Sequence, residues 1–270
     1  MKTTFLTGLF TVAVAAAGAF AQAAPAAAFS WDNTWTQSAI KSKAETGFDD
    51  APFQKFVQAE RLALTNSGLF LLDPSKLKLK YAHEVSAYFI NEGAGYRNQL
   101  AYEATNGTTK QSGLIFNDIS SAEAIGNWGG DALNLGDSVK LGNFAAGTQL
   151  DFWLRADGLN RGNGANIFGT QTSFNADRLQ HVVAYAFDRY LMLGFEDLYG
   201  DLYASGQDPV TGRWNEWSDR DFNDAIFVVD IGKANVDALT SVPEPATTAA
   251  LIGLGAAGLL NLRRRNKTAS

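Results

Sequence analysis

Between residues 69 and 240 the chain consists of short apolar runs separated by Gly, Asn, Asp and Ser, and no long helical pattern lies between them. In one run Leu150, Phe152 and Leu154 alternate with residues of other kinds, which places two chemistries on the two faces of a strand. Closely spaced strands with turn residues between them favour a β-sandwich or a jelly roll. The sequence therefore predicts an all-β fold of the β-sandwich or jelly-roll type.

Seven strands are predicted in this part of the chain. They span residues 84–90, 99–104, 113–117, 149–156, 180–187, 190–195 and 225–231. The Gly-rich stretch between Gly158 and Gly169 is predicted to be a surface loop. The predicted β domain covers residues 69–240.

Residues 24–68 are predicted to be an irregular lead-in that ends in one short helix. The apolar residues between 50 and 66 fall near one helical face, with Asp49 or Asp50 available as N-cap and Pro52 in the first turn. This pattern predicts a short N-terminal amphipathic helix that packs on the sheets which follow.

The first 23 residues have the order of a secretory signal peptide. Lys2 is followed by an apolar run at 5–20 and by small residues that form cleavage sites ending at Ala21 and Ala23. A buried N-terminal helix is the alternative, but the run is short for a membrane span and lacks a stop-transfer flank. The sequence predicts export.

The last 30 residues, 241–270, are organised in three parts. They contain Pro243, Glu244 and Pro245, then an apolar run at 246–262, then Arg263, Arg264 and Arg265. The run is typical of a transmembrane helix, and the positive-inside rule leaves the arginines cytoplasmic and the preceding chain on the far side of the membrane. The segment resembles the sorting tail of PEP-CTERM proteins, which an exosortase processes in Gram-negative bacteria.

That resemblance implies recognition by exosortase-type machinery and a transient stay in the inner membrane. It also implies a final place in the cell envelope, at the cell surface or in the extracellular matrix of a Gram-negative bacterium.

The chain has no cysteine, which excludes disulfides and thiolate metal sites. The full sequence carries a net charge of −6, and removal of the basic ends makes it more negative, which argues against a nucleic-acid partner.

Two acidic segments carry the strongest chemical pattern. Their oxygen-bearing residues are Glu196 and Asp197 in the first segment, and Asp219, Asp221, Asn223 and Asp224 in the second. Oxygen ligands in a tight loop are what Ca²⁺ requires, and a metal ion would relieve the repulsion between crowded carboxylates. The second segment departs from an EF-hand loop, because Asp224 replaces the turn glycine and no helix follows.

The alternative is that these acids cap turns, satisfy backbone N–H groups, and pair with Arg178, Arg189 or Arg220. Two further residues, Asp177 and His181, are candidates for additional metal ligands, although a histidine at a strand edge more often has a structural hydrogen bond. Trp214 and Trp217 are candidates for carbohydrate contact, or for packing onto the sheet.

Several stretches resemble a family of exported bacterial modules, the domain of unknown function "forty-one fourteen". They are residues 89–98, 150–152, 175–181, 194–198 and 218–224, within a likeness that covers about 85–232. The resemblance implies a β-rich module, an acidic end consistent with metal binding, and no established catalytic activity. A long insert at 199–217 leaves open how the two acidic segments are placed relative to each other.

No catalytic motif for a nucleophile elbow, a zinc protease, a P-loop or a dinucleotide site occurs in the sequence. We therefore predict no catalytic residues and a non-enzymatic, calcium-binding module that acts at the cell surface, in exopolysaccharide or biofilm. Extracellular polysaccharide and surface proteins are its candidate partners, and a purely structural matrix protein is a blander possibility. The enzymatic alternative is a secreted glycoside hydrolase that uses Glu196 with Asp221 or Asp224.

Overall fold

The computed structural model describes residues 29–59, 61–64, 69–126 and 130–241. The predicted signal peptide and the sorting tail, from Pro243 to Arg265, lie outside these ranges. Contacts divide the chain after Trp31, and the fold below is that of the unit beginning at Asp32. Of the helices within the described ranges, none combines the length and apolarity that a membrane span needs.

Antiparallel strands form nearly all the regular structure of the described residues. The strands are β1 (Phe70–Leu72), β2 (His83–Asn91), β3 (Asn98–Asn106), β4 (Thr109–Ile119), β5 (Ser138–Phe144), β6 (Gln149–Arg155), β7 (Ile167–Gly169), β8 (Val182–Phe187), β9 (Tyr190–Phe195) and β10 (Ala225–Asp230). The helices are α1 (Lys43–Thr46), α2 (Ala51–Gln54), α3 (Gly158–Arg161) and α4 (Lys233–Thr240), with short 3₁₀ turns at Pro74–Lys76, Gly162–Gly164 and Thr172–Phe174. The all-β prediction is confirmed, and each predicted run falls on a strand.

The strands form two sheets whose inner faces share one core. The larger sheet has the order β1-β8-β9-β10-β2-β5 and the smaller one β4-β3-β6-β7. Phe227 of β10 meets Phe152 of β6 with ring centroids 5.5 Å apart, and Phe89 of β2 meets Phe116 of β4 at 6.4 Å. All four rings are buried, so these edge-to-face pairs join the two sheets.

The outer face of the larger sheet is also covered. Phe48, Phe53 and Phe56 of the N-terminal segment form a second buried cluster with Met192 of β9 and Val228 of β10. Every residue of β10 is therefore buried. This explains why β10 is a continuous apolar run rather than an alternating one.

The predicted helix over residues 50–66 begins where expected but is much shorter. Asp50 precedes its first turn, yet α2 ends at Gln54. The chain after α2 instead contacts the second acidic segment. The Arg61 N–H donates to Asp221 Oδ2 and the Leu64 N–H donates to the Asp221 carbonyl oxygen, each at 2.8 Å. These tertiary hydrogen bonds replace the helical ones, while Phe53 and Leu64 still face the sheet.

The predicted loop between Gly158 and Gly169 instead contains α3 and β7, and Phe168 within it is fully buried. The strands β1, β5 and β7 were not predicted. Two of them are only three residues long, which is too short for an alternating pattern to be recognised.

Candidate metal centre

The pairing of β9 with β10 places the two acidic segments side by side. Phe195 at the end of β9 pairs with Ala225 at the start of β10. The Asp224 N–H donates to the Phe195 carbonyl at 3.1 Å, and the Asp197 N–H donates to Asp224 Oδ2 at 2.8 Å. The residues that leave β9 therefore meet those that enter β10, whatever the length of the insert between them.

Five carboxylates converge at this end of the larger sheet. Glu196, Asp219 and Asp221 each offer one oxygen atom, and these atoms lie within 4.8 Å of one another. Glu196, Asp197 and Asp224 form a second group with the same property. Glu196 belongs to both groups and is fully buried, which makes it the central residue of the cluster.

Backbone and amide groups hold two of these carboxylates in place. Asp221 accepts at Oδ2 from the Arg61 N–H at 2.8 Å and at Oδ1 from the Asn223 N–H at 3.0 Å. Asn98, at the start of β3, donates from Nδ2 to Asp197 Oδ2 at 2.6 Å. The contributions of Arg61 and Asn98 were not predicted, because a contact with a distant segment leaves no local pattern in the sequence.

Other polar atoms of the cluster have no protein partner. Glu196 Oε2 and both amide atoms of Asn223 are buried and make no hydrogen bond among the described residues. A buried polar atom without a partner costs about 1–3 kcal/mol, and more when it is charged. A cation would provide a partner for the two oxygen atoms, Glu196 Oε2 and Asn223 Oδ1, whereas Asn223 Nδ2 is a donor and needs an acceptor.

The electrostatics of the cluster favour neutralisation. Burial raises the pKa of Glu196 to about 7, an effect that the Ser218 hydrogen bond and the Arg220 charge oppose and the Asp219 carboxylate reinforces. Burial also raises the pKa of Asp221 to about 6. The pKa of Asp224 is raised well above its usual value by burial and by the charges of Asp197 and Glu196. At neutral pH these groups need protons or a cation.

The predicted pairing with arginines does not occur at the cluster. Arg189 pairs instead with Asp230 at 2.9 Å, and Arg220 donates to the Gln180 carbonyl. Among the described residues, no acid of the two segments forms an ion pair with Arg178, Arg189 or Arg220. Capping of backbone N–H groups is present at Asp221, so that part of the alternative describes some of the contacts.

Asp177 and His181 are not brought among the candidate ligands. His181 Nε2 lies 2.8 Å from Asp177 Oδ2, and His181 Nδ1 lies 2.9 Å from the Glu196 carbonyl oxygen. The Phe168 ring stacks on the imidazole with centroids 3.7 Å apart. Because both ring nitrogens face protein acceptors, this arrangement directs neither of them at a metal ion. Burial acts to raise the pKa of Asp177, but the hydrogen bond and charge of His181 outweigh it and lower that pKa to about 2.

Trp214 and Trp217 do not pack down onto the sheet. Their exposed fractions are 67% and 62%. Trp217 lines a surface pocket together with Asp219, whereas Trp214 is not among the described residues that line it. The two tryptophans therefore have different surroundings, and carbohydrate contact stays a prediction.

The fold and the site define an all-β module with a buried acidic cluster at one end of its larger sheet. Residues 144–232 match the family model of a domain of unknown function, DUF4114, and residues 241–265 match the PEP-CTERM protein-sorting motif. These matches confirm the two resemblances found in the sequence, to the domain of unknown function and to the sorting tail. The first match contains both acidic segments but begins at Phe144, so residues 89–98 of the predicted likeness lie outside it.

The sorting motif implies recognition by exosortase machinery and export to the cell envelope or surface. Searches of curated proteins and of solved structures returned no match.

Proposed function

We propose that this chain is a non-enzymatic surface module whose acidic cluster binds Ca²⁺. The observation that carries the proposal is Glu196, which is fully buried, shared by both carboxylate groups, and left with an unpartnered oxygen. A cation beside it would neutralise the crowded charge and supply the partner that the protein does not.

The ligand atoms favour calcium over other metals. Five carboxylates and the Asn223 amide offer only oxygen, and Ca²⁺ takes about 6–8 oxygen ligands in flexible geometry. Zinc prefers nitrogen and sulfur, and Mg²⁺ usually keeps several waters, which a buried cluster accommodates poorly. Both ring nitrogens of His181, which lies beside the Glu196 carbonyl, already have protein partners.

In an exported protein such a site would contribute to stability. The chain has no cysteine, so a bound metal would stabilise it where disulfides often do. Extracellular calcium modules work with dissociation constants of about 10⁻⁴–10⁻³ M. We propose that the stabilised module binds or organises surface polymers and proteins in exopolysaccharide or biofilm.

Thermal unfolding of the full-length chain, purified in detergent, tests the calcium site. Ca²⁺ at about 100 times its dissociation constant should stabilise the protein by about 2.7 kcal/mol relative to EGTA. For a unit of this size that corresponds to a rise of about 5–11 °C in the melting temperature. Equal melting temperatures in EGTA and in Ca²⁺ at about 100 times that dissociation constant, on the order of 10–100 mM, would remove calcium from the proposal.

Two variants make the test specific. Glu196→Gln should abolish the response to Ca²⁺, while Glu84→Gln, which removes the same charge from a side chain that is 54% exposed, should keep it. If Glu196→Gln does not fold, the less buried Asp219→Asn replaces it and should weaken the response.

The hydrolase alternative has less support. Glu196 and Asp224 are 0% and 7% exposed, and a polysaccharide would have to reach both carboxylates for acid and base catalysis. Turnover of any polysaccharide by the wild-type chain that is lost in Glu196→Gln would favour the hydrolase instead.

A further inference from the structure

A surface pocket of about 650 Å³ lies beside the acidic cluster. It is lined by Arg61, Leu198, Tyr203, Trp217 and Asp219. Its volume falls in the range of about 300–1,000 Å³ that small-molecule sites occupy. The Tyr203 and Trp217 rings, 51% and 62% exposed, meet edge to face with centroids 6.1 Å apart. The contact between the two rings therefore leaves more than half of each residue exposed to solvent.

The backbone that carries the pocket is strained. Arg61, Tyr203 and Trp217 have φ angles of 68°, 50° and 61°, in the left-handed region that bulky residues rarely adopt. Such conformations persist only where the surroundings hold them, and they cluster at binding sites.

Hydrogen bonds from the second acidic segment hold two of these residues. The Arg61 N–H donates to Asp221 Oδ2 at 2.8 Å, and the Tyr203 N–H donates to the Ser218 carbonyl at 2.7 Å. Asp219 lies between these two acceptors in the chain and contributes its carboxylate to the pocket. The pocket is thus fixed by the same loop that forms the acidic cluster.

The lining combines aromatic rings with a guanidinium and a carboxylate. The exposed rings offer flat apolar surfaces, the Arg61 guanidinium donates, and the Asp219 carboxylate accepts. A pyranose ring has the complementary surface, because its C–H groups form an apolar face and its neighbouring hydroxyls both donate and accept. We propose that this pocket binds one pyranose unit of a neutral saccharide, with the sugar ring stacked on Trp217 and its hydroxyls bonded to Arg61 and Asp219.

Binding of neutral gluco-, manno- and galacto-oligosaccharides to the full-length chain tests this site. The protein is purified in a detergent without a sugar headgroup, and titrations are made in Ca²⁺ and in EGTA. Trp217→Gly should weaken binding by about ten-fold, because it removes the aromatic face. Glycine suits the left-handed backbone at that position, so the variant should fold.

Trp214→Ala is the matched control, since Trp214 is 67% exposed in the same insert but lies outside the pocket. It should leave the affinity unchanged. If Trp217→Gly does not fold, Tyr203→Asn replaces it, since asparagine tolerates the left-handed region. No binding of any of these sugars by the wild-type chain, or an equal loss in both tryptophan variants, would overturn the proposal.

The titrations also separate this site from the calcium site. Sugar binding that depends on Trp217 in a protein whose stability ignores Ca²⁺ would support the pocket and refute the metal. Calcium-dependent stability without sugar binding would do the reverse.

Discussion

Two acidic residues with buried side chains, Asp177 and Glu196, both contact His181, and their pKa values shift in opposite directions. Asp177 is paired with His181 at 2.8 Å, and their side chains are 2% and 0% exposed. Glu196 is equally buried, and its carbonyl oxygen faces the other nitrogen of His181 at 2.9 Å. Yet the pKa of Asp177 is lowered to about 2, whereas that of Glu196 is raised to about 7.

The difference teaches that burial alone does not decide the charge of these acids. Desolvation acts to raise both pKa values, and of these two carboxylates only Asp177 has the His181 imidazole within hydrogen-bond distance. At Asp177 the protein itself supplies the group that compensates the carboxylate, so no ion from solution is needed. At Glu196 and Asp224 the compensating cation or proton has to come from solution.

The largest effect is expected when the self-sufficient site is broken. His181→Gln removes the imidazole that lies 2.8 Å from the buried Asp177 carboxylate, and a buried group left without its hydrogen-bond partner costs about 1–3 kcal/mol, and more when it is charged. Urea denaturation of the full-length chain at neutral pH measures this loss. Adding Asp177→Asn to the variant should restore part of the stability, and a loss below about 1 kcal/mol in the single variant would contradict the comparison.

The second expected effect is a pH dependence of the calcium-free protein. The raised pKa values of Glu196, Asp221 and Asp224 mean that the folded chain binds more protons than the unfolded chain above pH 4. Stability in EGTA should therefore fall between pH 5 and pH 8, by on the order of a few kcal/mol. The lowered pKa of Asp177 acts in the opposite direction and only below its unfolded value near 4, outside this window.

Denaturation curves at pH 5 and pH 8, with and without Ca²⁺, measure this dependence. Calcium should reduce the fall, because it takes the place of the protons. Glu196→Gln should flatten the calcium-free profile, while Glu84→Gln should leave it as it is. Stability in EGTA that increases from pH 5 to pH 8 would show that the acidic cluster is already compensated within the protein.

The sequence predicted the strands well because their apolar pattern is local. It also singled out both acidic segments, which the structure brings together through the pairing of β9 and β10. The helix over 50–66 was too long because hydrogen bonds from Arg61 and Leu64 to Asp221 compete with helical ones, and such long-range contacts leave no trace in a local pattern.

The sequence favoured a structural hydrogen bond for His181, but the partners of that residue could not be predicted for a related reason. A histidine near acidic residues is compatible with a metal ligand until both of its nitrogens are placed. Only the tertiary structure sets one nitrogen against Asp177 and the other against the Glu196 carbonyl. The same holds for Trp214 and Trp217, which are three residues apart but of which only Trp217 lines the pocket.

The smallest effect is expected at an ion pair that is no longer than the Asp177–His181 contact but is exposed to solvent. Lys140 Nζ and Glu84 Oε2 are 2.5 Å apart, and their side chains are 56% and 54% exposed. Because solvent screens this pair, Lys140→Gln should change the free energy of unfolding by about 0.5 kcal/mol or less in the same urea assay. A loss approaching that of His181→Gln would show that pairing itself, rather than burial, sets the difference between the two acidic sites. A small loss would instead leave burial without a charged partner as the property that makes Glu196 a candidate for a bound cation.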